Sequence, residues 1–552
     1  MAPQSGGRLL VDCLIAHEVP LMTCVPGESF LAILDAIYEL KKLPHDSLPR
    51  LITARHEAAA ANMAEAAGKL TGRAAVCFVT RGPGATHASI AVHTAYQDGT
   101  PMLLVVGQVS RSALGRQAFQ EMDYSTVFGS SAKSIIEIHS ADRIPEHVAR
   151  AIHTARSGRP GPVILVVPED VLSEQTSAQV ILAPNVEQPI APNEQIQDVI
   201  DLLHKAKRPI LIVGGGGWDQ SAADLITNLA ERHQLPIAAA FRWQDAVDNR
   251  SHSYVGYLGL GCSPQLRQRV AEADLVLVLG PRLDDPTTDG FEFAPLEGNL
   301  RVLVMVNQDV EELCRTVIPD IAIHTGIVGF LKALNEYKLS DNPSRTDWTK
   351  TLRQEFETFS IPPSVSGNVD MALIVQHVRT TLPDDAIVTT GAGNYTVWIQ
   401  RFFQFRRFHT QLAPRNGAMG YGFPAALAAA ALQPRVKTIA FAGDGCLLMS
   451  GSEIATAVQE NLNVVLIVVN NGMFGTIRMH QEIHYPGRTI ATNLHNPNFA
   501  SYAESFGALG LVVRRTEDFA AAFSEALKTE GPALIEIHTD PQQLTPTLRL
   551  DK

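Results

Sequence analysis

The chain has 552 residues, 45% of them hydrophobic, and a formal net charge of −12 at pH 7. That length allows about two to four domains with large cores. The acidic balance excludes a surface built for nucleic acid or anionic membranes, and no apolar run approaches the ~20 residues of a bilayer span. Cys13, Cys24, Cys77, Cys262, Cys314 and Cys446 form no C-x-x-C pair, so reduced core thiols are expected rather than disulfides or zinc ligands. No basic stretch followed by a long apolar core opens the chain, and the expected location is cytoplasmic.

In chain order, residues 1–172 alternate strand and helix patterns. Leu21 to Val25 is a strand, and Pro26-Gly27-Glu28-Ser29 turns into a helix. Leu51 to Ala54 is a strand running into Arg55-His56-Glu57, then an Ala-rich helix from Ala58 to about Leu70. Ala74 to Thr80 ends in Arg81-Gly82-Pro83-Gly84-Ala85-Thr86; Met102 to Val106 and Val163 to Val167 follow. A polar, Pro-bearing stretch at 173–196 reads as a linker. A second unit carries strands at Pro209 to Val213, Leu275 to Leu279 and Val302 to Val306, and a second polar stretch, about 339–368, precedes the third unit. Such alternation predicts α/β architecture: three doubly wound parallel-sheet domains at 1–172, 190–340 and 368–552.

Residues 438–473 carry the densest chemistry. Thr438 to Ala442 is a strand closed by Gly443-Asp444-Gly445. Ser450-Gly451-Ser452-Glu453 has capping-box spacing before a helix to about Glu460, and Val464 to Val469 is a buried strand ending in Asn470-Asn471. Parallel strand ends share the carboxyl edge of a sheet, where open α/β folds bind ligands. Asp444 and Asn471, 27 residues apart, therefore face one point. A carboxylate, an amide oxygen and a nearby backbone carbonyl suit Mg²⁺, which completes its octahedron with phosphate oxygens and water. Gly443 and Gly445 allow a diphosphate to approach closely.

GDG, a spacer of this length and NN together resemble the binding motif of thiamine-diphosphate enzymes. The resemblance implies that Asp444, Asn471 and the backbone carbonyl of Met473 hold Mg²⁺, with Gly443, Gly445 and Cys446 against the diphosphate. It also implies a carboxyl beside the cofactor's pyrimidine, where proton sharing favours the imino tautomer that removes the thiazolium C2 proton. Glu57 stands in that position, and a buried, cofactor-facing carboxyl is expected to titrate high. In Asn416-Gly417-Ala418-Met419-Gly420, the resemblance makes Met419 a wedge between the two cofactor rings and the Gly417 carbonyl an acceptor for the cofactor's amine. Gly391-Ala392-Gly393-Asn394-Tyr395 resembles the segment that contacts the diphosphate.

Over essentially its full length the chain resembles acetolactate (acetohydroxyacid) synthases, through residues 55–87, Gly107-Gln108-Val109 and Ala118-Phe119-Gln120-Glu121. Phe119 and Gln120 match the family's reaction pocket, and Gln108 is a further candidate. Three departures stand out. Glu28 replaces a small glycine; a carboxylate beside the reacting carbon would repel a second 2-oxo acid or relay protons. His480 holds the position of a pocket tryptophan, in the segment that includes Thr476 and Arg478, and could contact a polar or anionic substrate. In the central unit, Gly280-Pro281-Arg282-Leu283-Asp284-Asp285 resembles the flavin-side segment, but Asn307 stands where an acid is expected and Gly214 to Gly217 is no G-x-G-x-x-G. FAD is left open, with the pattern weighing against it. The expected activity is decarboxylation of a 2-oxo acid, pyruvate first, with carboligation to a second carbonyl. Glu28, Gln120 and His480 join Glu57 as catalytic candidates; Glu28, Phe119, Gln120, Thr476 and His480 are the substrate candidates. The alternatives are an aldehyde lyase or carboligase of the benzaldehyde-lyase kind, or a cofactor-binding protein without turnover. The family implies a homodimer or homotetramer whose sites are shared between subunits.

Overall fold

The apolar runs become three six-stranded sheets in the computed structural model, which describes residues 3–42, 48–292, 301–365 and 367–550. The ends of the first and last predicted domains, 1–2 and 551–552, lie outside the described residues. The N-terminal sheet runs, edge to edge, Leu51–Thr53, Met22–Cys24, Ala75–Val79, Met102–Gln108, Pro162–Pro168 and Ser134–Glu137. The C-terminal sheet runs Gln411–Leu412, Ile387–Thr390, Thr438–Gly443, Val464–Asn470, Ala533–His538 and Leu509–Val513. Every pairing in both is parallel. Numbered along the chain, the strands of both sheets follow one order, 2-1-3-4-6-5. The order reverses beside the first strand, and the crevice above that point is where such sheets bind ligands.

The central sheet is also parallel but ordered 3-2-1-4-5-6: Tyr254–Tyr257, Ile237–Ala239, Pro209–Val213, Leu275–Leu279, Val302–Asn307 and Ile321–His324. The chain is thus α/β with three doubly wound sheets, each flanked by helices. The inner strands are buried along their length, as expected for sheets covered on both faces.

The helix Glu57–Thr71 packs on Gly422–Leu432 of the C-terminal domain. Both are Ala-rich, and Ala60, Ala64, Ala67, Ala425 and Ala428 are fully buried in one cluster spanning the two domains. Small side chains let helix axes approach closely. One polar network sits inside this contact: Tyr421 Oη (2.6 Å) and Thr100 Oγ1 (2.7 Å) donate to Glu65.

The expected capping box at Ser450 to Glu453 does not form. Ser450 makes no cap hydrogen bond. Glu453 instead crosses the domain boundary and accepts from the Arg55 and His56 amides, both at 3.0 Å, and from Thr456 Oγ1 at 2.6 Å. Several charge-assisted bonds outweigh the single bond of a reciprocal cap.

Candidate active site

A cavity of about 250 Å³ opens at the carboxyl edge of the C-terminal sheet, beside its point of strand reversal. Four loops line it. Ala392, Gly393, Asn394 and Tyr395 follow the first strand; Gly417 and Met419 precede the helix Gly422–Leu432. Gly443, Asp444, Gly445 and Cys446 close the third strand, and Asn471, Met473 and Thr476 follow the fourth. The loops are knitted together by specific contacts. Tyr395 Oη accepts from the Gly391 amide at 2.9 Å and donates to Cys446 Sγ at 3.7 Å. Cys446 Sγ accepts from the Gly420 amide at 3.1 Å. A Cβ on Gly391 would lie 2.7 Å from that sulfur, so only glycine permits this approach. Thr476 Oγ1 donates to Asn394 Oδ1 at 2.9 Å.

Asp444 is 3% exposed and is the one charged residue among those lining the cavity. Its Oδ2 accepts from the Gly472 amide and from Asn496 Nδ2, each at 2.8 Å, and its Oδ1 accepts from the Gly445 amide at 2.9 Å. Burial pushes its pKa up, and these hydrogen bonds only partly offset that. A buried carboxylate with no cationic neighbour is costly. Asp444, the Asn471 amide and the Met473 carbonyl are a donor set that fits a hard divalent cation, and the glycine cradle beside them fits a diphosphate.

The other candidates gather elsewhere, at the carboxyl edge of the N-terminal sheet, and do not line this cavity. Glu57 opens its helix behind the N-cap His56, whose Nδ1 accepts from the Ala58 amide at 3.1 Å. Glu57 Oε2 lies 2.8 Å from His87 Nδ1. Glu28 is not a free carboxylate: it pairs with Arg81 at 3.3 Å. The buried Arg81 also binds Glu169 at 3.1 Å and donates to the Phe119 carbonyl at 3.3 Å. Phe119 extends into solvent, 75% exposed. Gln120 takes a φ of +65° and packs on Gly82. Gln108 is buried, its amide spent on the Met122 carbonyl and the Val109 amide. His480 is exposed, faces His484 with ring centroids 6.0 Å apart, and does not reach the cavity. Arg478 is tied to Glu482 at 3.0 Å.

Four residues escaped sequence reasoning: Arg81, His87, Glu453 and Asn496. Arg81 and His87 stand in a segment already singled out, but their partners are 53 and 30 residues away. Glu453 was absorbed by a local capping pattern. Asn496 gave no signal.

The central domain does not fit a flavin at its strand reversal. Asn307 donates its amide to the Gly280 carbonyl at 2.9 Å. The Trp218 indole lies against Gly280 and donates to the Leu279 carbonyl at 3.2 Å, while Gln308 fills the space over Gly217. Arg282 binds both oxygens of Glu312 at 2.7 and 2.6 Å. The crevice left there holds about 10 Å³, room for roughly one water. A separate cavity of about 340 Å³ lies alongside. No step below involves flavin.

Three parallel sheets with a carboxylate–amide pair on the third are the layout of a thiamine pyrophosphate enzyme, and family models agree. The N-terminal thiamine pyrophosphate-binding domain matches residues 4–127, the central domain 196–334 and the C-terminal thiamine pyrophosphate-binding domain 391–537. The chain is 32% identical to an acetolactate synthase large subunit of Parasynechococcus marenigrum, over 97% of this chain and 88% of that one. It is 30% identical to the mitochondrial acetolactate synthase of Schizosaccharomyces pombe (97% and 83%) and 30% to the isozyme 1 large subunit of Escherichia coli (98% and 94%). The chain belongs to the acetolactate-synthase-like family of thiamine-diphosphate-dependent enzymes. Among the described residues, no helix is long and apolar enough to cross a membrane.

Proposed function

We propose that the enzyme uses Mg²⁺ and thiamine diphosphate to decarboxylate a 2-oxo acid, pyruvate first, and to join the remaining acyl unit to a second carbonyl. The observation that carries this reading is the convergence of Asp444, Asn471, Met473 and Met419 on one glycine-lined cavity. Asp444, Asn471 and the Met473 carbonyl hold the metal; Gly443, Gly445, Cys446 and the 392–395 turn receive the diphosphate. Met419 and the Gly417 carbonyl set the bend of the cofactor, and Glu57 shares a proton with its pyrimidine. Bound there, the cofactor stores the electron pair released as CO₂ leaves. The apolar wall of Trp398, Phe474, Ile477 and Leu544 favours loss of a carboxylate, because a charge in an apolar pocket is poorly solvated.

Glu57 does not line the cavity of its own chain. A homodimer, or a dimer of dimers, in which Glu57 of one copy meets the cavity of another completes the site. The domain division 1–172, 190–340 and 368–552 is part of the same reading. A cytoplasmic location is supported by six free cysteines, five of them buried.

A second reading concerns the acceptor. No lining residue is cationic, and Arg81 is outnumbered by Glu28 and Glu169. Nothing here attracts a second carboxylate, which favours a neutral aldehyde as acceptor and the carboligase alternative. A binding protein without turnover is disfavoured by Glu57. The test is a panel of 2-oxo acids and aldehydes with thiamine diphosphate and Mg²⁺, read by mass spectrometry. Labelled CO₂ from at least one 2-oxo acid is expected; none from any would end the decarboxylase reading. Glu57→Gln should keep cofactor affinity and lose about a hundredfold or more in kcat; near-native turnover would remove Glu57 from the chemistry.

A further inference from the structure

Glu57 meets a second titratable group that no part of the reading above uses. His87 ends the short helix Pro83–His87, and its Nδ1 lies 2.8 Å from Glu57 Oε2. The Glu57 side chain is 14% exposed and that of His87 51%. One face of the imidazole is thus in water while its Nδ1 touches the carboxyl. The other Glu57 oxygen is directed at Gly84, which offers it no side chain.

The groups facing this pair are few. His56 stacks on His87 with ring centroids 4.5 Å apart. Its Nδ1 accepts from the Ala58 amide, which fixes its proton on Nε2 and occupies it as a helix cap. Arg55 turns away to Gln459, and Glu453 is taken up by the Arg55 and His56 amides. Cys77, buried in the strand beneath, is kept a neutral thiol by burial. That leaves His87 as the group placed to exchange a proton with Glu57.

We propose that His87 is a positioning residue that acts as the proton port of Glu57, linking its carboxyl to solvent. The N–H bond at Nδ1 breaks, an O–H bond forms at Oε2, and the imidazole, left neutral, regains a proton from water at its exposed face. Glu57 needs such a supply because it must carry a proton to share with a pyrimidine nitrogen, and a ring seated over it closes direct access of water. This inference rests on the assignment of Glu57 to the pyrimidine.

The test is calorimetric binding of thiamine diphosphate with Mg²⁺ to the full-length protein, in buffers of different ionisation heat, from about pH 5.5 to 8.5. It yields the number of protons exchanged per cofactor bound, without turnover. The wild type should show an exchange that changes through the imidazole range, about pH 6–7. His87→Asn and His87→Gln should flatten it while Kd at the alkaline end moves less than about threefold; each amide can still donate a hydrogen bond to Glu57 but cannot ferry a proton. Exchange of the cofactor's C2 proton with deuterium should slow about tenfold or more in both. A pH-dependent proton count unchanged in both variants overturns the proposal, as does weaker binding at every pH with that count intact. Glu57→Gln separates the two ideas. If it abolishes the proton exchange and the His87 variants do not, only the port falls; if it too leaves the exchange intact, the Glu57 assignment falls first.

Discussion

Asp444 brings a carboxylate into a cavity that contains no positive side chain, held there by three neutral N–H donors. Such a site is balanced only when a cation arrives. Asp444→Ala should therefore abolish Mg²⁺-dependent binding of thiamine diphosphate in calorimetry, and an unchanged affinity would sink the metal assignment. Glu28 differs, because it is exposed and bonded to Arg81. Removing it leaves Arg81 facing Glu169 alone, which turns a local excess of negative charge into balance. Glu28→Gly should raise kcat/KM for a 2-oxo acid acceptor relative to an aldehyde, by about two- to fivefold given the worth of an exposed pair. An unaltered acceptor ratio would show that Glu28 has no part in selection. Neither distinction is visible in the sequence, where both residues are acids in a turn beside glycine.

The helix that begins at Glu57 is set by what its far end touches. Gly68 lies where a Cβ would overlap the Pro101 carbonyl oxygen and press on Thr100. In an unhindered helix, Gly→Ala gains about 1 kcal/mol. Here the obstacle is backbone and cannot swing aside, and overpacking typically costs 1–3 kcal/mol, so the clash wins. Gly68→Ala should lower the urea midpoint of unfolding; a rise would mean that the helix can shift freely. At the other end, Glu453 holds the two amides just before Glu57. The Ala-rich pattern of this helix was legible, because periodicity and composition act within one turn or two. Its anchoring was not, because Glu453 is 398 residues from Arg55 and its local pattern pointed to a cap.

Across the whole molecule, the central and C-terminal domains meet over a buried carboxyl. Asp245, 3% exposed, accepts from the Thr410 and Gln411 amides at 3.1 Å each. Burial pushes its pKa up to about 7, and those amides only partly oppose this. The folded state thus holds a proton that the unfolded chain gives up near the ordinary carboxyl range. The stability this group contributes is present below that range and is lost as pH rises through the folded value. Chemical denaturation at about pH 5 and pH 8 should show a fall in midpoint for the wild type that is smaller in Asp245→Asn. An equal fall in both would remove Asp245 from the pH dependence. The same boundary shows why the central domain was the hardest to read. Its strands were plain, but whether Gln308, Trp218 and Asn307 leave room above Gly217 and Gly280 depends on how side chains pack, and they close the point of reversal.

What the sequence determined by itself was the parallel α/β layout and the contents of the metal-and-diphosphate cavity. Strand runs, glycine turns and the strand–helix–strand spacing between Asp444 and Asn471 are local features, and a parallel sheet then has one carboxyl edge for both residues to share. The tertiary structure alone decided the partners around Glu57. Glu28 meets Arg81, Glu57 meets His87 and Glu453 meets the Arg55 and His56 amides. Each pair joins separate loops whose meeting depends on the strand order or on helix packing across two domains. Neither leaves a period or a spacing in the chain, so a carboxylate ready to act and one already taken by a cation look the same until the fold is known.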